Sequence, residues 1–178
     1  MSTLKVSTIS PLGTDATKTI TIGTSGDKIT LPSSATLTNF PGVPAFAVRK
    51  TDGDQSYSQN TWTKVTFNTE FIDTNNAFAD SKFTVPSGQA GAYQFNVGIK
   101  MATIATDSAY EIKLYVNGSA YTTLVQHTTS ASESPIYGGV QAIDLSVGDY
   151  VEVFGITNGG AGNFKDDQCQ FTGFKLGA

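Results

Sequence analysis

Charge is what this chain has least of. Its 178 residues carry 11 Lys and Arg, 15 Asp and Glu and one His, for a net charge of −4 at pH 7. A chain so poor in cations offers no basic stripe to a phosphate backbone, which argues against nucleic acid as a partner. Cys169 is the one cysteine, so no disulfide can form within the chain and no cysteine cluster can hold zinc. No apolar run approaches the ~20 residues a membrane helix needs, and membrane insertion is not expected. Met1 to Val6 lacks the apolar core of a signal peptide, so secretory export is not expected either. Sustained helical periodicity is missing as well. The 18 glycines and abundant Thr and Ser suit strands joined by turns.

The pattern that is present has period two. Tyr93, Phe95, Val97, Ile99 and Met101 alternate with Gln94, Asn96, Gly98 and Lys100, which sets an apolar face against a polar one, as in a half-buried antiparallel strand. Pro86, Gly88 and Gly91 lead into it through a turn. Tyr110, Ile112, Leu114 and Val116 repeat the alternation and end at Asn117-Gly118, a hairpin signal because both central turn positions favour φ > 0. Tyr121 to Val125 is the expected return strand. Ala45 to Val48, Trp62 to Phe71, Tyr137 to Leu145 and Tyr150 to Phe154 read as further strands. Cys169 to Leu176 closes the head, with Cys169 and Phe171 on one face and Phe174 and Leu176 on the other. Thr51 to Ser56, Asp73 to Asp80, Gln126 to Pro135 and Thr157 to Phe164 read as loops. Short strands at regular intervals with turn signals between them predict an all-β sandwich or barrel.

Met1 to Gly42 has a different texture, rich in Thr and Ser with Phe40 as its single aromatic residue. Ile20 and Ile22, then Ile29 and Leu31, lie on one face each of two short alternating pieces joined by the turn-rich Gly23 to Asp27. Such pieces are marginal alone in water. They serve either as a linker or as strands paired with the same segment of neighbouring chains, which would bury the apolar stripe and satisfy the edges together. The regular spacing of Ile and Leu favours pairing, with those four residues as the core of a stalk. Phe40-Pro-Gly-Val-Pro44 cannot continue a strand and reads as a hinge. It divides the chain into an N-terminal stalk or attachment segment, 1–43, and a head, 44–178.

On these residues the head resembles the globular domain of complement component q, in the jelly-roll superfamily that also contains tumour necrosis factor. The resemblance rests, in order, on Pro44-Ala-Phe-Ala-Val48, Val65-Thr-Phe-Asn68, Asn76-Ala-Phe78, Phe83-Thr-Val-Pro86 and Gly91-Ala-Tyr-Gln-Phe95. It continues with Leu114-Tyr-Val-Asn-Gly118, Leu145-Ser-Val-Gly-Asp-Tyr-Val151 and Phe171-Thr-Gly-Phe174. It implies an antiparallel jelly-roll β-sandwich head assembled as a homotrimer. No Gly-X-Y collagen run precedes the head, and the family's calcium-binding loop residues are not placed, so calcium is not carried over. Met1 to Val6 with Gly26 to Asn39 is similar to N-terminal segments of bacteriophage tail-fibre and appendage proteins. Together the two resemblances imply a trimeric virion fibre: a short β-rich stalk, then a knob of three sandwiches.

Catalysis needs a nucleophile, a base and a stabiliser brought together. His127 is the only histidine, and no Gly-x-Ser-x-Gly elbow accompanies it, so no catalytic residue is assigned and an enzyme is not expected. Asp52, Asp54, Asp166 and Asp167 have the oxygen chemistry of a hard-cation site. The EF-hand pattern is not met, so they read as turn aspartates, and neither metal nor cofactor is expected. Glu70, Glu111, Glu133 and Glu152 fall on separate elements, which gives no glycosidase pair. Trp62, Tyr57, Tyr121 and Tyr137 are the candidates for stacking on sugar, although aromatics in a sandwich are usually core. Cys169 reads as a small buried hydrophobe.

The function expected is a non-enzymatic virion protein whose head binds a host cell-surface glycan or protein, three weak sites adding through avidity. Receptor contacts are expected in polar loops, with Gln126, His127, Ser132, Glu133, Asn158, Asn163, Asp166 and Asp167 as candidates. Phe46, Tyr93, Phe95, Phe174 and Leu176 are the candidates for the trimer interface. Residues 1–43 are expected to join other tail or capsid proteins. Two alternatives remain open at this point: an architectural capsid or tail decoration protein with no receptor role, and a polysaccharide-degrading tailspike.

Overall fold

Strand β7 (Gly91–Ala102) turns the alternation around Tyr93 into a buried and a half-exposed face: Tyr93, Phe95, Ile99 and Met101 are wholly enclosed, while Gln94, Asn96 and Lys100 stay partly accessible. The computed structural model describes residues 42–102, 104–130 and 136–177. The stalk residues Ile20, Ile22, Ile29 and Leu31 and the loop residues Ser132 and Glu133 lie outside the described residues.

Along one edge β7 pairs with β10 (Ile136–Leu145). Along the other it pairs with β13 (Gln170–Lys175) and, beyond that, with β12 (Gly162–Phe164). β13 pairs with β1 (Ala45–Arg49), β1 with β4 (Thr69–Asp73), and β12 with β2 (Gln55–Tyr57). The first sheet therefore runs β10-β7-β13-β1-β4, with β12 and β2 extending one end of it. The second runs β5 (Phe78–Ala79), β6 (Lys82–Thr84), β11 (Tyr150–Thr157), β8 (Ala109–Val116), β9 (Ser119–Thr128), with β3 (Thr63–Lys64) also on β11. Every one of these pairings is antiparallel.

The two sheets close over an aromatic core. The Phe46 ring lies 4.8 Å from Phe171, 5.0 Å from Phe83 and 5.1 Å from Phe78 between centroids, where aromatic edges and faces attract. Gly173 is what lets the rings approach: a Cβ there would stand 2.5 Å from Phe46 Cε1 and 2.7 Å from Phe95 Cδ1. The Phe171-Thr-Gly-Phe174 run is thus a packing requirement, with Phe171 turned in and Phe174 turned out.

Chain direction sorts the turns to two ends of the sandwich. At the end where the chain arrives, the Lys175 N–H donates to Pro44 O (3.0 Å), Leu176 N–H to Ala92 O (2.7 Å), and Asn117 N–H to Tyr150 O (3.0 Å). At the far end, Asn60 N–H donates to Thr157 O (2.8 Å), Thr129 N–H to Ser108 O (2.9 Å), and Asn158 N–H to Ala109 O (3.0 Å).

The segment from Trp62 to Phe71 is not the single strand its alternation predicts. β3 ends at Lys64 and β4 starts at Thr69. Between them the chain crosses from the second sheet to the first, with Val65 and Phe67 both buried. The crossing is held by side chains: Thr66 N–H and Oγ1 both donate to Gln55 Oε1 (2.8 and 2.9 Å), and Phe67 N–H donates to Ser81 Oγ (2.9 Å). Two expected loops also contain short strands, β5 within 73–80 and β12 within 157–164, and Gln126 and His127 belong to β9 rather than to a loop.

Candidate functional site

Two surfaces of the head carry the residues to which sequence reasoning assigned work. The first is the outward face of the first sheet. Because directly opposed residues of an antiparallel pair point to the same side, the registers define rows across five strands. One row runs Ile72, Ala47, Thr172, Asn96, Val140, and the next runs Ala45, Phe174, Gln94, Ala142. Neither row contains an ionisable side chain. Ile72 is 49%, Val140 62%, Phe174 39% and Leu176 40% exposed. Phe174 and Leu176 thus stand on the surface. Phe46, Tyr93 and Phe95 do not, and their assignment to an interface is corrected: at 2%, 0% and 0% exposure they fill the interior of their own head, where no neighbour can reach them. Alternation groups side chains by face but does not say which face is the interior. Ile72, Ala47 and Val140 lie in the row beside that of Phe174, a placement that only strand register gives.

The second surface is the far end. There the 50–54 and 165–168 segments are tied by charge. Lys165 Nζ pairs with Asp54, whose Oδ1 also accepts from the Asp166 N–H (2.9 Å). That N–H, with Lys165, holds the Asp54 carboxyl below the usual carboxylate range. Lys50, buried, donates to Asp52 and lowers its pKa in the same way. Arg49 Nη1 donates to Asp167 Oδ1 (3.1 Å). These aspartates face lysine, arginine and backbone N–H groups, and among the described residues no group of three His, Cys, Asp or Glu is arranged to hold a metal. Asn163 accepts from Ser56 Oγ (3.1 Å), pinning β12 to β2.

On the second sheet's side of this end, Asn158 Oδ1 accepts from the Ala109 N–H (2.8 Å), and Gln126 Nε2 donates to Glu111 Oε1 (3.3 Å). The His127 ring lies 5.7 Å from that of Tyr110. Registers align Ile156, Glu111 and Gln126 in one outward row and Phe154, Lys113 and Thr123 in the next. A hollow of about 160 Å³ opens here, lined by Asn60, Glu111, Ile156 and Asn158 with Ala109 and Tyr110. Farther along the same face Trp62 packs against β8, its ring 4.6 Å under Lys113 Nζ and 6.1 Å from Tyr115. Of the other stacking candidates, Tyr121 is 53% exposed on β9, whereas Tyr57 is core: its hydroxyl donates to Ala102 O (2.7 Å), and burial pushes its pKa up to about 12.

Two antiparallel sheets in the orders β10-β7-β13-β1-β4 and β5-β6-β11-β8-β9 define the head as an all-β jelly-roll sandwich. Solved structures of the same fold include the vertex protein P5 of PRD1, at 16% identity and a TM-score of 0.55 over 76% of this chain and 99% of that one. The globular domain of zebrafish complement 1qA is similar at 19% identity and 0.54, over 76% and 98%, and Eiger TNF from S. frugiperda at 14% and 0.50, over 76% and 93%. No protein-family model matches the chain, and no curated protein does. At these identities the likeness is one of fold.

Proposed function

We propose that this chain is a non-enzymatic virion structural protein, a homotrimeric fibre or knob whose head binds a host-surface receptor. The observation that carries the reading is on the outward side of the first sheet, where two uncharged rows, one across five strands and one across four, leave Ile72, Val140 and Phe174 exposed. Apolar surface moved from water into an interface contributes roughly 25 cal/mol per Å², and rows without charges avoid the large desolvation cost of ions. Large apolar side chains exposed together on an uncharged surface are a feature of association sites. The trimer itself is what the jelly-roll resemblance implies, and the fold shared with a vertex protein supports a place on a particle. Residues 1–43 attach the head to other tail or capsid proteins, a role supported by their similarity to bacteriophage appendage leaders. The far-end segments then face the host, where three weak sites on one rigid head gain by avidity. The test is the solution mass of the full chain at micromolar concentration, with three chains expected. A folded monomer overturns the trimer, and unchanged adsorption to host cells after exchange of residues 126–135 and 158–167 overturns the receptor role.

One observation favours a second reading. The fold shared with a vertex protein fits an architectural decoration equally well, and it is separated by the absence of specific binding of the purified protein to cells or glycans.

A further inference from the structure

The hollow at the far end of the second sheet has no ligand assigned by anything above. We propose that it is a subsite for a single uncharged pyranose of a surface polysaccharide. This inference rests on the adhesion role just proposed and names its ligand class.

Size comes first. At about 160 Å³ the hollow holds several water volumes of about 30 Å³ each, yet falls below the pockets of about 300–1,000 Å³ that enclose drug-sized ligands. One sugar ring fits that scale. The lining also has a sugar's chemistry. A pyranose presents adjacent hydroxyls, each both donor and acceptor, around an apolar C–H face. Glu111 binds Gln126 Nε2 through Oε1 and Lys113 Nζ through Oε2 (2.9 Å). A carboxylate offers about four lone-pair sites, so capacity remains to accept hydroxyl protons. Asn158 has committed Oδ1 to the Ala109 N–H, which leaves its NH₂ group as the donor it can offer. Asn60 is fixed in the left-handed region at φ 56° by its N–H to Thr157 O, and its exposed amide supplies both donor and acceptor. Ile156, half-buried, is the apolar wall.

Charge narrows the class. Glu111 repels anionic sugars, while Lys113 already neutralises it and so removes most of the gain a cationic ligand would find. A neutral ring is left. Trp62 on the same face, next to Lys113, gives a second ring of an oligosaccharide an aromatic surface to lie against. No pair of residues separated by fewer than about fifty positions would have revealed this arrangement, since Asn60, Glu111 and Asn158 meet only through the β8–β11 register and the Asn60–Thr157 bond.

The experiment is saturation-transfer NMR on the full chain with methyl pyranosides of glucose, galactose, mannose and N-acetylglucosamine, alongside adsorption to host cells. Asn60→Gly removes the amide while tolerating φ > 0, and Glu111→Gln removes the carboxylate charge. Each is expected to weaken binding of at least one pyranoside by about fivefold to tenfold, the range of a lost hydrogen bond. Asp144→Asn, exposed at the opposite end of the head on β10, is expected to leave it unchanged. Calorimetry checks that the variants melt within a few degrees of the parent, and Asn60→Gly stands alone if Glu111→Gln does not fold. Absence of binding to any neutral pyranoside, or equal binding by all variants, overturns the subsite. Equal pyranoside binding by all variants, with adsorption lost on exchange of residues 126–135 and 158–167, overturns the subsite and leaves adhesion standing. Sugar binding sensitive to both variants without adsorption supports the subsite and overturns adhesion.

Discussion

At the scale of single residues, burial and local hydrogen bonds decide behaviour more than residue type does. Cys169 is fully enclosed, its thiol 3.7 Å from Lys100 O, and burial raises its pKa. A thiol reacts as thiolate and only where reagent can reach it, so Cys169 is expected to label slowly in the native protein and completely in denaturant. Alkylation followed by mass spectrometry checks this, and rapid native labelling would contradict the packing. Asp54 and Asp149 behave oppositely. Asp166 N–H and Lys165 lower the Asp54 pKa, while Asn117 Nδ2 and Ser146 N–H lower that of Asp149 (both bonds 2.8 Å). A carboxylate with a lowered folded pKa adds stability that is in place above its unfolded value and lost as pH falls through the folded one. These groups therefore leave stability flat from pH 7 down to about 4 and erode it below that. Asp54→Asn is expected to make the acid limb shallower in urea melts run from pH 2 to 7. An identical limb would show that the 50–54 and 165–168 tie has no energetic weight. From sequence, the aspartates were readable as turn residues, but their cationic partners were not: Asp54 and Lys165 are far apart along the chain.

At the scale of elements, the strands with strict alternation were legible and the irregular ones were not. Tyr93 to Met101 and Tyr110 to Val116 became β7 and β8, and Asn117-Gly118 became a turn with φ of 52° and 75°. The crossing at residues 65–68 escaped, because Val65 and Phe67 keep period two while leaving the ladder. β9 escaped in part: its register shifts opposite Ile112/Lys113 and Leu114/Tyr115, and bulges of that kind break the alternation by which a strand is recognised. Glycine inside β13 was readable as a motif, not as a cause. Its cause is the space under Phe46 and Phe95. Gly173→Ala forces a methyl group into that cluster, and overpacking of this sort costs about 1–3 kcal/mol. Equilibrium unfolding in urea measures it, and a neutral result would mean the aromatic cluster relaxes freely.

At the scale of the whole molecule, the head has two uncharged rows across the first sheet and one end rich in polar segments, and the two ask for different partners. Phe174 separates surface from core cleanly. It points out at 39% exposure while its neighbour Gly173 points in, so Phe174→Asp charges an uncharged row without touching the aromatic core. The expected outcome is a folded monomer by native mass spectrometry, with near-parental circular dichroism. An intact trimer would move the interface elsewhere. Sequence could nominate Phe174 and Leu176 but not the row joining Ile72 to Val140, which exists only after four registers are laid side by side.

β1 enters the sandwich at Ala45 with β4 on one side and β13 on the other, both antiparallel to it. A host surface gripping the far end while a particle pulls at residue 42 would load β1 along its own axis. The hydrogen bonds on both flanks lie across that axis and would share the load together, the shear geometry of a lap joint rather than the peeling of a zipper. Single-molecule pulling between handles at residues 42 and 160 would read this as one high rupture force, against stepwise low-force release for peeling. The strand that tethers the head would then also be what keeps it from unravelling under drag.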